Sequence, residues 1–135
     1  MISLETVGVS APLPPRVLCY GTQKIGKSTL MSYLPDHIFL AAEDGLGGLP
    51  GQSFWEIGSY ADLFTAFTQL SRPENTFKSV TIDTVTAFEV MLHAQLLTRN
   101  SVDSLDKIGG GFYKWRIEAL DLWLEILNYM DWLRI

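Results

Sequence analysis

The stretch Gly21-Thr22-Gln23-Lys24-Ile25-Gly26-Lys27-Ser28 fits the spacing G-x-x-x-x-G-K-[ST] at every fixed position, and it constrains the fold more than any other part of the chain. A loop of this kind cradles phosphates only when a strand delivers it and a helix leaves it. Upstream, Arg16-Val17-Leu18-Cys19-Tyr20 reads as a short buried strand, and downstream Lys27 to Tyr33 reads as a helix. Glycines let the backbone wrap a polyphosphate with successive N–H groups pointing inward. The helix start adds unpaired N–H groups and the positive end of its dipole. In that geometry Lys27 reaches the β- and γ-phosphates, and Ser28 offers its hydroxyl to a magnesium ion shared with them. The candidate nucleotide-binding set is therefore Gly21, Thr22, Gln23, Lys24, Ile25, Gly26, Lys27, Ser28 and Thr29, with a nucleoside triphosphate as ligand and Mg2+ as cofactor.

The rest of the composition narrows the partners. With 135 residues, 47% hydrophobic and 19% charged, the chain suits one globular domain with a real core. Its net charge of −5 supplies no general attraction for a polyanion, so any contact with single-stranded DNA depends on local basic residues or on partners. The single cysteine, Cys19, excludes an internal disulfide and suits a packing role in the first strand. No apolar run has the length of a membrane span, and Met1 to Pro15 lacks the regions of a signal peptide. A cytoplasmic protein with no membrane partner is expected.

Residues 1–15, with Pro12, Pro14 and Pro15, read as an extended leader, and 16–135 as the domain itself. Beyond Pro35-Asp36, the run His37-Ile38-Phe39-Leu40-Ala41-Ala42 suits a parallel strand covered on both faces, with His37 as a surface residue at its mouth. Glu43 and Asp44 follow at its carboxyl end, where open α/β sheets place their ligand crevice, and a loop carrying Gly45, Gly47, Gly48 and Gly51 comes next. Phe54 to Ile57 reads as an edge strand. Ser59 with Asp62 reads as the cap of a helix to Leu70 whose Leu63, Phe64, Phe67 and Leu70 form a core face.

Ser79-Val80-Thr81-Ile82-Asp83 is a hydrophobic strand ending in a carboxylate, the usual second half of such a phosphate site, so Asp83 joins Ser28 as a candidate metal-orienting residue. Thr84 and Thr86 stand where a helix can start, and Ala87 to Leu97 has helical composition with His93 as a packing or surface residue. The segment from Arg99 to Gly111 ends in three glycines and reads as a mobile loop. From Phe112 to Leu133 one narrow polar stripe, Lys114, Glu118, Asp121, Glu125 and Asn128, marks a long helix that needs apolar cover around most of its circumference.

Together the P-loop, Ala41-Ala42-Glu43-Asp44-Gly45 and Thr81-Ile82-Asp83-Thr84-Val85-Thr86 resemble the RecA-type ATPase core, and in particular the phage-encoded nucleotide-binding proteins of single-strand annealing recombination. The resemblance runs from Arg16 to the last residue. It implies a three-layer α/β P-loop NTPase with a mostly parallel sheet, ATP as ligand or substrate, Glu43 as the catalytic residue that activates water with Lys27 on the phosphates, and Asp44 as the competing base; an unpaired sheet edge would add self-association. The resemblance also implies DNA recombination or repair in the cytoplasm of a phage's host. In that family the sheet order is 5-1-4-3-2, so a fourth strand separates the P-loop strand from the Asp83 strand. Nothing after Ile135 supplies it, and the chain reads as the amino-terminal part of the domain. Direct pairing of the P-loop and Asp83 strands, or a strand from another chain, would be the alternatives. Two other functions stay open: a nucleotide-binding module without turnover, and a small-molecule phosphotransferase using Arg99 or Arg116 from a lid.

Overall fold

The structure is a computed structural model that describes residues 12–43, 49 and 51–134. Its centre is strand β1 (His37–Ala41), all five residues of which are buried. A strand with a neighbour on each side and cover on both faces has no polar face to show, which is why this segment is apolar without alternation. Strand β2 (Ser53–Glu56) pairs with it on one side and β3 (Ser79–Asp83) on the other, both parallel, giving the order β2-β1-β3. The register sets Ala41 opposite Asp83, and Ala42 N–H donates to the Asp83 carbonyl at 3.0 Å. Whatever follows β1 therefore emerges beside the carboxyl end of β3.

Among the described residues four α-helices flank the sheet: α1 (Lys27–Met31), α2 (Tyr60–Leu70), α3 (Val85–Asn100) and α4 (Trp115–Trp132). Ile38 and Leu40 of β1 share one core with Leu63, Phe67 and Leu70 of α2, Phe88, Leu92 and Leu96 of α3, and Leu122 and Ile126 of α4. Burying each such side chain stabilises the fold by about 1.5–3 kcal/mol. Helix α2 starts as its cap predicts, with Ser59 Oγ accepting the Asp62 N–H at 3.2 Å. Its aromatics are core rather than surface: Phe64 and Phe67 both pack on Tyr129 of α4, at centroid distances of 4.8 and 5.9 Å. Tyr60 of α2 ties the same pair of helices by donating to Glu125 Oε2 at 2.9 Å. The architecture is α/β, a three-stranded parallel sheet with flanking helices, consistent with an incomplete P-loop NTPase core.

Three expectations are corrected. Residues 16–20 form no strand, because a strand requires a neighbour and none of the described residues pairs with them. Val17 and Leu18 are 72% and 75% exposed, and Cys19 is half-buried instead of packed within a sheet. The segment is held at its base by the end of α4 and the residues just past it, through Arg16 Nε to Asp131 Oδ1 at 3.3 Å and Arg134 Nε donating to the Pro14 carbonyl at 2.6 Å. Direct pairing of the P-loop segment with β3 is thus not the arrangement adopted.

His37 is not a surface residue. It is 7% exposed, its Nε2 lies 2.7 Å from Thr81 Oγ1, and its ring meets Phe39 edge-on. Burial lowers its pKa and favours the neutral ring. The segment before α4 is also more built than a mobile loop. Helix α3 runs on to Asn100, and a 3-10 turn follows at Leu105–Gly110. Ile108 within that turn is 1% exposed and joins the core, while Lys107 pairs with Asp103. Gly109 is needed there: its φ is +61°, and a Cβ would stand 2.9 Å from the Lys114 side chain.

The need of the long helix for cover, by contrast, is met on one side only. Ala119, Leu122 and Ile126 are buried, but Ile117, Leu120, Leu124 and Leu127 remain exposed on the outer face.

Candidate functional site

Gly26 sets the geometry at the start of α1. It adopts φ 97°, ψ 21° as the residue before the helix, a left-handed conformation that side-chain-bearing residues seldom take. A Cβ there would touch nothing within 4 Å, so the requirement is backbone conformation and not space. The turn lets the chain enter α1 with Lys27 and Ser28 as its first two residues. Helix-opening N–H groups have no partner within the helix, which leaves donors for an anion at this point.

Lys27 curls back over the loop, its ammonium donating to the Gly21 carbonyl at 3.0 Å and the Thr22 carbonyl at 2.9 Å. These neutral acceptors hold the ammonium over the loop where a phosphate would lie. A phosphate oxygen, being charged, is the stronger acceptor. Ser28 makes the contact that closes the site: its hydroxyl donates to Asp83 Oδ2 at 2.7 Å, across 55 residues of sequence. The P-loop thus docks on the end of β3 through side chains although its upstream segment adds no strand to the sheet.

The remaining candidate base falls in the same place. Glu43 is exposed just past β1, and Thr84, the residue after Asp83, donates its hydroxyl to Glu43 Oε1 at 2.7 Å. Parallel pairing of β1 with β3 brings the two residues within reach of each other, since Ala41 and Asp83 are register partners. Lys27, Ser28, Asp83, Thr84 and Glu43 accordingly gather at the carboxyl end of the sheet. Asp44 and glycines 45, 47 and 48 lie outside the described residues. Arg99 sits in the last turn of α3, and the Arg116 guanidinium stacks on Tyr113 at 4.6 Å, so this arginine is engaged within its own helix start.

The donor set suits a small hard cation. Asp83 would supply a carboxylate and Ser28 a hydroxyl, oxygen donors of the kind magnesium accepts alongside the phosphates of a nucleotide. Among the described residues no group of three or more histidine, cysteine, aspartate and glutamate side chains is assembled, so an all-protein metal cage is not what these residues build. A concavity of about 610 Å³ lined by Asp36, His37 and Lys78 opens at the amino ends of the strands, away from this cluster. Its lysine is already paired, Lys78 Nζ lying 3.0 Å from Asp36 Oδ2.

The role of Thr84 as a link was not read from the sequence, where it is visible only as a residue able to start a helix. Its spacing directly after the strand-ending Asp83 was the available signal, but the partner becomes apparent only once β1 and β3 pair.

A glycine loop that places a lysine and a serine at a helix start, with the serine on a strand-ending aspartate, defines a P-loop protein of the α/β class. The chain belongs to the AAA domain family, whose profile matches residues 13–129. It is also similar to the SPbeta prophage-derived uncharacterized protein YorG of Bacillus subtilis (strain 168), with 24% identity over 114 residues. Those residues are 82% of this chain and 35% of that protein, so the chain spans about a third of the relative's length. No solved structure matches the chain. The family match covers most of the chain, and no helix among the described residues is long and apolar enough to cross a membrane.

Proposed function

We propose that the chain is the nucleotide-binding part of a RecA-like, magnesium-dependent ATPase. The observation that carries this reading is the 2.7 Å contact from Ser28 to Asp83, which unites the two halves of a phosphate site from distant parts of the sequence. Residues Gly21 to Thr29 would wrap the triphosphate of ATP, Lys27 would turn from its loop carbonyls to the β- and γ-phosphates, and Ser28 and Asp83 would hold Mg2+. When bound, the ion supplies charge neutralisation on the phosphate oxygens. Glu43 takes a proton from water as the water oxygen bonds to the γ-phosphorus. The bond from that phosphorus to the bridging oxygen breaks, and ADP leaves with the electron pair. A positive side chain from a neighbouring subunit would speed this step by stabilising its charge, in keeping with self-association.

Among the described residues nothing pairs with the outer edge of β3, and this with the exposed Val17 and Leu18 supports a sheet completed by a further strand lying between them. The same exposure favours a second reading, in which the chain binds nucleotide without turning it over. A role in phage DNA recombination or repair is supported by the resemblance of the motifs and by the prophage origin in the relative's name. Direct pairing of β3 with the P-loop segment would have favoured a phosphotransferase, and that pairing is not formed.

The test is Mg-ATP binding and hydrolysis by the purified chain, with Lys27→Ala in parallel and single-stranded DNA added in a second series. Turnover abolished by Lys27→Ala supports the ATPase, and stimulation by DNA supports recombination. Binding that depends on Lys27 but yields no ADP selects the second reading. ATP binding equal in wild type and Lys27→Ala removes the loop from the function altogether.

A further inference from the structure

We propose that Thr84 is a positioning residue that holds one oxygen of the Glu43 carboxylate and leaves the other to receive the proton of the attacking water. The inference rests on the reading of Glu43 as the base. The Thr84 hydroxyl donates to Glu43 Oε1 at 2.7 Å and accepts the Ala87 N–H at 3.4 Å, capping α3. A hydroxyl has one proton to give and lone pairs to spare, so both bonds are made at once by a single side chain. The support behind it is rigid: the Thr84 carbonyl accepts the Phe88 N–H at 3.1 Å, and Phe88, Leu92 and Leu96 anchor α3 in the core.

Glu43 by contrast is exposed and follows the last residue of β1 by two positions, with nothing from a regular element to choose its rotamer. A free glutamate spreads over many rotamers, and ordering it costs side-chain entropy. The bond from Thr84 selects one of them before the nucleotide arrives. It also couples the two halves of the site, because Asp83, which takes the Ser28 hydroxyl, and Thr84, which gives its own to Glu43, are consecutive residues. The strand end that orients the metal-binding carboxylate therefore orients the base as well.

The experiment compares Thr84→Val, Thr84→Ser, Glu43→Gln and the double variant Thr84→Val/Glu43→Gln in the full chain, reading ATP affinity, turnover and the carboxyl carbon resonance of Glu43 without nucleotide. Thr84→Val should lower turnover about 10- to 100-fold, as expected of a misplaced reacting group, and leave ATP affinity within about twofold. Thr84→Ser keeps both hydrogen bonds and should restore turnover. In the Glu43→Gln background, Thr84→Val should cost nothing further, because it acts through the missing carboxylate. The Glu43 resonance should move in Thr84→Val and stay in Thr84→Ser. An unmoved resonance in Thr84→Val overturns the inference whether or not the chain turns over, as does an equal loss in the wild-type and Glu43→Gln backgrounds. If Glu43→Gln keeps wild-type turnover, the base assignment fails instead.

Discussion

His37 shows how a single residue escapes a reading based on neighbours in sequence. It stands at the start of an apolar run after Pro35-Asp36, which looks like a surface position, yet parallel pairing on both sides buries it against Thr81 and Phe39. Since burial holds its pKa below the ordinary 6.5, the unfolded chain binds a proton that the folded chain resists as pH falls. Stability should therefore be full above pH 6.5 and decline below it. His37→Gln, which cannot take up that proton, should lose less between pH 7.5 and 5.5 in urea unfolding midpoints; equal losses in both proteins would show that the ring contributes nothing to the slope. At Gly26 the sequence was sufficient, because the left-handed backbone required there is a local property of one residue.

Among the elements, α2 and β3 were legible to the residue. The Ser59 cap and the strand from Ser79 to Asp83 are local signals, set by a hydroxyl three residues from an N–H and by a short apolar run. Helix α4 was legible in type but not in which face it would bury. Its sequence is apolar nearly all round, and the structure chooses the Ala119, Leu122 and Ile126 line because α2 and α3 reach it there. Ile126→Ala should destabilise the chain by about 2–5 kcal/mol, whereas Leu124→Ala on the outer face should stay within about 0.5 kcal/mol. Chemical denaturation of the two variants measures the contrast. Similar costs would mean that the outer face is covered in solution. The failure at residues 16–20 has a different cause: the run is apolar enough for a strand, but strand formation is settled by hydrogen bonds to a neighbour, which no property of the run itself supplies.

For the whole molecule, the consequence of these two elements is a surface with much apolar area. Val17, Leu18, Tyr20, Ile25, Leu30 and Tyr33 around the P-loop are exposed, as is the outer face of α4. Apolar surface on this scale ordinarily marks an interface. Sedimentation velocity at rising protein concentration should show a concentration-dependent increase in mass, opposed weakly by the net charge of −5 and little affected by salt. A monomer at every concentration would indicate that the exposed residues are solvated as they stand. The sequence by itself determined the phosphate loop, the strand ending in Asp83, the capped helix and the α/β class, because each rests on short-range spacing and backbone preference. Only the tertiary structure decided that Ser28 meets Asp83, that Thr84 holds Glu43, that His37 is buried and that residues 16–20 stand outside the sheet. Those outcomes depend on which strands become neighbours, and strand pairing is settled by contacts between segments dozens of residues apart.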